Sequence, residues 1–154
     1  MDFTSDKTTD IPDETLSSGD FFPGISLRDY QLAVLTDGKV TTERLKHTII
    51  TAMIEVNREL ADWKQSQIAA GFMSMAAIPA DHISNESELV LLYRRAVYSH
   101  AKAGLTERYR DTDTTESGEK KASALGETVD DLRRDVQWAI QRIKGESHNI
   151  CELI

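Results

Sequence analysis

The side chains that could start chemistry are few: four histidines, one cysteine and an aspartate-rich stretch near the middle of the chain. His47, His82, His100 and His148 stand apart, and Cys151 lies four residues from the end. A zinc site needs several such ligands at short spacing, which this pattern does not supply. Asp111-Thr112-Asp113 resembles the opening of a calcium loop, but that loop needs glycine at its sixth position and glutamate at its twelfth. Those positions hold Glu116 and Ala122, so the stretch is expected to be solvated rather than metal-binding. Ser99 and His100 are neighbours on a predicted helix and point in different directions, so they do not form a nucleophile and its base. Asp130-Asp131 is followed by Arg133-Arg134, ordinary charge pairing on an exposed helical face. Cys151 has no cationic neighbourhood to stabilise a thiolate, since Glu152 follows it. No glycine-rich turn leads into a Gly-Lys-Ser or Gly-Lys-Thr phosphate loop. The expectation is no enzyme, no cofactor and no metal.

Composition narrows the partners. The 154 residues carry a net charge of −8, with 40% apolar and 29% charged residues. That size and balance suit one soluble domain. Tight binding to a phosphate backbone needs clustered Lys and Arg, and no basic block here exceeds a pair. Specific nucleic-acid binding is therefore not expected. No apolar run reaches the roughly 20 residues of a membrane span, and the acidic N-terminus lacks a signal peptide's basic start. The chain is expected to stay in the compartment where it is made.

The elements that position these residues are helical. Residues 1–20 hold six acidic residues and one lysine, a net of −5. With the apolar hook Phe21-Phe22-Pro23-Gly24-Ile25, they form an expected arm over 1–25. The hook either packs on its own domain or anchors a neighbouring subunit. Ser26 caps a short helix from Leu27 to about Leu35. Thr41 caps a long one, with Leu45, Ile49, Ala52, Met53, Val56, Leu60, Trp63 and Ile68 on one stripe and Gly71 ending it. One unbroken rod of about 43 Å is predicted. An apolar connection over 72–83, partly buried, leads to a helix starting near Ser84 or Asn85, with Glu88 as a capping-box partner. That helix runs to about Tyr109. A polar loop over 111–118 follows. The last helix spans about 119–144, with Leu125, Val129, Leu132, Val136, Ala139, Ile140 and Ile143 on its stripe, and Gly145 ends it. The predicted fold is all-α. It is an antiparallel bundle of three long helices plus a short N-terminal helix over 26–145, with a C-terminal tail over 146–154.

Several stretches, in order, resemble a known family. They are Phe21-Phe22-Pro23 with Ile25; Asn57, Glu59-Leu60, Gln67 and Ala69-Ala70-Gly71-Phe72; and Pro79-Ala80-Asp81, Ile83 and Glu86-Ser87. Arg95-Ala96-Val97, Leu105 and Glu107-Arg108-Tyr109-Arg110 follow. Gly118, Lys120-Lys121-Ala122, Leu132, Arg134-Asp135, Trp138-Ala139, Arg142-Ile143 and Gly145 complete the set. The chain is similar here to the head-completion protein family, protein L, of temperate tailed phages with contractile tails. The resemblance implies a structural role: joining the head after DNA packaging, keeping the genome in and preparing the vertex for the tail. It implies a helical adaptor forming a ring with copies of itself, generally twelve, beneath the portal protein. A neck or tail-joining protein would lie below, in the virion, after assembly in the host cytoplasm. Residues outside the helical stripes are then the expected partner contacts: Phe21, Phe22 and Ile25, with Ile150, Leu153 and Ile154. The alternative from another class is a cytoplasmic helical regulator that binds a protein partner.

Overall fold

A computed structural model describes residues 11–34, 40–112 and 116–146, apart from the side chains of 109–127. The chain is mostly helical. The elements are β1 (Thr15–Leu16), β2 (Ile25–Ser26), α1 (Leu27–Ala33), α2 (Thr42–Glu59) and α3 (Ala61–Ala69). A 3-10 turn (Met75–Ala77), β3 (His82–Ile83), β4 (Glu86–Ser87), α4 (Glu88–Thr112) and α5 (Glu116–Lys144) complete the order. No helix among the described residues is long and apolar enough to cross a membrane.

Helix ends follow local chemistry. Ser26 Oγ accepts from the Asp29 N–H at 3.1 Å, and Thr41 Oγ1 accepts from the Arg44 N–H at 3.3 Å. Each satisfies one of the donors that a helix start leaves unpaired. Gly71 and Gly145 both adopt positive φ, at 100° and 72°. At the first end the Phe72 N–H donates to Gln67 O and the Gly71 N–H to Ile68 O. At the second, Glu146 donates to Gln141 O and Gly145 to Arg142 O. Both are Schellman closures, which only a left-handed residue permits.

α4 is the central helix. α2 runs antiparallel to it, with Asn57 hydrogen-bonded to Tyr93 and Thr48 against Gly104, where an added Cβ would sit 3.6 Å from the threonine methyl. α5 packs along α4, also antiparallel: Glu88 pairs with Arg142, Arg95 with Asp135 and Glu107 with Arg133. Ala96, Val97 and Ala101 of α4 are buried between Ile49, Ala52, Met53 and Val56 of α2 and Val136, Ala139, Ile140 and Ile143 of α5, all in one core. Small residues on α4 let the helices approach closely, and the apolar stripes supply the driving force.

Four expectations change. The predicted rod over 41–70 is two helices, interrupted at Leu60 (φ −92°, ψ 3°). Three residues beyond the Asn57–Tyr93 pair, Leu60 comes level with Val90, almost at the start of α4. Leu60 is itself buried, but the residues beyond it leave the core, and α3 has no fully buried residue. Secondly, strands exist. β1 pairs antiparallel with β2, and β3 with β4. Ser84 and Asn85, expected to start a helix, both have positive φ (52° and 64°), the signature of a two-residue type I′ hairpin. α4 begins after it, with Ser87 Oγ accepting from the Leu89 N–H at 3.3 Å. Thirdly, α4 and α5 extend into the predicted polar loop over 111–118, because polar residues mark exposure and do not stop a helix. Fourthly, the expected arm is folded from Ile11 onward. Ile11 and Leu16 are buried, and Glu14 O accepts from the Leu27 N–H at 2.9 Å. Residues 1–10 and 147–154 lie outside the described residues.

One core position is uncomfortable. Tyr30 is fully buried with its ring edge-on to Tyr98, centroids 5.2 Å apart. Its hydroxyl has no hydrogen-bond partner among the described residues, and burial, then Tyr98, holds it firmly protonated. An orphaned buried hydroxyl costs about 1–3 kcal/mol. Tyr30→Phe is therefore expected to match or exceed the parent's urea midpoint. A clear loss of stability would mean that the hydroxyl has a partner.

Candidate contact surfaces

The hook predicted to meet partners lies inside its own domain. Phe21, Phe22 and Ile25 are 5%, 4% and 0% exposed. Phe22 stacks on Tyr93 (5.0 Å, 9°), and Phe21 meets Phe22 edge-on (5.1 Å, 87°) and Trp63 (6.0 Å, 75°). Lys64 Nζ lies 5.7 and 5.5 Å from the two phenylalanine centroids, a cation over both rings. The Met75 N–H donates to Phe21 O at 2.8 Å, which ties the hook to the apolar connection after α3. Tyr93 donates to Asn57 Oδ1 at 2.7 Å, and Asn57 Nδ2 donates to Ser18 Oγ at 3.0 Å. Burial pushes the Tyr93 hydroxyl up to about 12, against the downward pull of Ser18 and Asn57. These contacts join the segment between β1 and β2 to α2, α3 and α4. Phe21, Phe22 and Ile25 thus pack on their own domain, the first of the two roles expected for the hook. Ile150, Leu153 and Ile154 lie outside the described residues.

Among the described residues the exposed large apolar side chains are Leu32, Ile50, Ile54, Met73, Ile83 and Trp138, with Arg134 over the indole of Trp138. The α2 stripe hides Ile50 and Ile54 from a simple periodicity count. Each stands one residue past a core position, Ile49 and Met53. The signal for them was the doubled apolar pair, repeated at a spacing of four.

Among the described residues no group of three or more His, Cys, Asp or Glu could hold a metal ion. Asn57, Glu59, Arg95, Glu107, Asp135 and Arg142 instead bond between elements. Gln137 Nε2 lies 3.3 Å from Glu59, Arg95 3.3 Å from Asp135 and Arg133 2.6 Å from Glu107. Exposed pairs of this kind set register more than stability.

His100 is half-buried on α4. Burial, then the Arg133 guanidinium, holds its pKa below the ordinary 6.5, against the upward pull of Glu55 and Glu107. The unfolded chain thus takes up this proton more readily than the folded one. The contribution is fully present above about pH 6.5 and is lost as pH falls below it toward the folded value. His100→Gln should flatten the dependence of the urea midpoint on pH between about 7.5 and 5.5. An unchanged slope would place its origin elsewhere.

Residues 16–154 match the family model described as phage head completion protein (GPL). The chain is 40% identical over 134 residues to the head completion/stabilization protein of Escherichia phage P2, covering 87% of this chain and 79% of that protein. The chain belongs to the phage head completion protein (GPL) family. A more distant member, the probable head completion/stabilization protein of Haemophilus phage HP1 (strain HP1c1), is 23% identical over 148 residues, 96% of this chain and 97% of that one. No significant match exists among solved structures. The GPL match begins at Leu16, the second residue of β1, and so takes in the hook, the Ser18–Asn57–Tyr93 hydrogen bonds and every described helix.

Proposed function

We propose that this head completion protein binds the portal vertex after DNA packaging. There it stabilises the filled head and forms part of the head–tail neck. The observation that carries this reading is the family match across nearly the whole folded chain, with the 40% identical P2 relative. Its role is structural rather than catalytic, in keeping with the names of both relatives. Copies form a closed ring, twelve in the broader adaptor class, between the portal protein and a neck or tail-joining protein. The contacts come from the C-terminal tail, through Ile150, Leu153 and Ile154. Each contact made by so short a segment is small, and a closed ring adds many. The net charge of −8 suits a ring through which DNA passes without sticking.

The test mixes purified protein with DNA-filled and with empty portal-bearing heads and images the portal vertex by electron microscopy. A ring of density below the portal on filled heads is expected, and its symmetry yields the copy number. Deleting residues 147–154 should leave the thermal midpoint unchanged and remove that density. Binding to neither kind of head by the well-folded parent would overturn the portal reading and favour a free cytoplasmic partner.

A further inference from the structure

Helix α3 is held differently from the rest of the fold. It hangs between two fully buried side chains, Leu60 and Met75. From 61 to 73 no residue is fully buried. The helix starts at the backbone break of Leu60 without a side-chain cap and ends at the left-handed Gly71. Its hydrogen bonds run within the segment or back to Leu60, as in Ser66 Oγ to Asp62 O at 3.2 Å and the Lys64 N–H to Leu60 O at 2.8 Å. Among the described residues no ion pair ties 61–73 to another element.

What α3 touches is the hook. Trp63 meets Phe21 edge-on, and Lys64 lies over both phenylalanine rings. Ile68 and Phe72 are only partly buried against the core. The hook has anchors of its own: Phe22 stacks on Tyr93, Ile25 is fully buried, and Phe21 O accepts from the Met75 N–H. Detaching α3 therefore breaks partly buried side-chain contacts and leaves those anchors in place. A segment with few buried apolar contacts opens at a lower free energy than the core around it.

We propose that α3 is a lid over Phe21 and Phe22, opening about Leu60 and Gly71 while α2, α4 and α5 stay packed. Closed, it keeps the two rings dry. Open, it turns one side of the pair to solvent. A helix of 9 residues is too short to persist alone in water, so the detached lid loses its own hydrogen bonds. The lid rests on the contacts of α3 and does not depend on the proposed function.

Native-state hydrogen exchange of the full chain, followed by NMR from zero to low urea, tests it. The amides of 64–72 are expected to share one opening equilibrium, about 100-fold or more above that of residues 93–101 of α4 and insensitive to low urea. The Met75 amide, bonded to Phe21 O, should keep the slow exchange of the core. Trp63→Ala should raise opening of 64–72 about ten-fold, through loss of its aromatic contact and burial, and leave 93–101 unchanged. The parent protein alone decides the first two points, whatever the variant does. Opening of 64–72 only together with α4, at the same urea dependence, would overturn the lid. Release of Met75 with α3 would overturn it too, since the hook would then belong to the moving unit. Absence of protection over 64–72 would leave no closed state, and a Trp63→Ala effect that is nil or equal in α4 would leave no lid contact; either overturns the proposal.

Discussion

Phe22→Ala is expected to lower the free energy of unfolding by about 3–5 kcal/mol, the usual cost of emptying a large aromatic site in a core. Small proteins have only about 5–15 kcal/mol in total, so the variant should sit near its unfolding transition at physiological temperature. The physical origin is specific. Phe22 is the ring stacked on Tyr93, whose hydroxyl donates to Asn57, which in turn holds Ser18. Removing the ring leaves a cavity beside the latch that closes the N-terminal segment over α2 and α4. Urea unfolding of the isolated protein measures the loss. If Phe22 were instead a contact reserved for a partner, the isolated chain would be indifferent to its truncation, within about 0.5 kcal/mol. That outcome would return the hook to the docking role. Any failure of the variant at the head should scale with the fraction unfolded, so lowering the temperature should restore it.

Ile140→Asp is expected to strip α5 from α4. Ile140 is almost fully buried in the shared apolar core, where a carboxylate would lose its hydration. Burying an uncompensated charge costs several kcal/mol even after relaxation. The polar links between the two helices cannot compensate. Glu88–Arg142, Arg95–Asp135 and Glu107–Arg133 are all partly exposed, and such pairs contribute about 0.2–1 kcal/mol each. The variant should lose helical circular dichroism at temperatures where the parent is intact. Ile140→Val, which removes one methylene, should cost only about 1 kcal/mol. A near-parental midpoint for the aspartate variant would mean that α5 contributes little to the fold.

Much of the fold was legible in the residue order. The caps at Ser26 and Thr41, the closures at Gly71 and Gly145 and the stripes of α2 and α5 each depend on neighbours within one or two helical turns. Residue type and spacing therefore decide them before any other element is in place. The family was legible too, because its pattern is spread in order along the chain. Contact surfaces were much less so. A pair of phenylalanines beside a proline is equally suited to a core and to an interface, and nothing local chooses between them. The choice fell to Tyr93, some seventy residues away, which arrives beside Phe22 only when α4 packs on α2. The same holds for the break at Leu60, which interrupts a continuous apolar stripe. It holds for the exposure of Ile50 and Ile54, which no element covers among the described residues. Residue order alone set the predominantly helical character, the helix ends at Ser26, Thr41, Gly71 and Gly145, and which family the chain resembles. Tertiary structure alone decided which apolar residues are spent inside the domain and which remain outside, because burial is a property of pairs of elements and not of one segment's order.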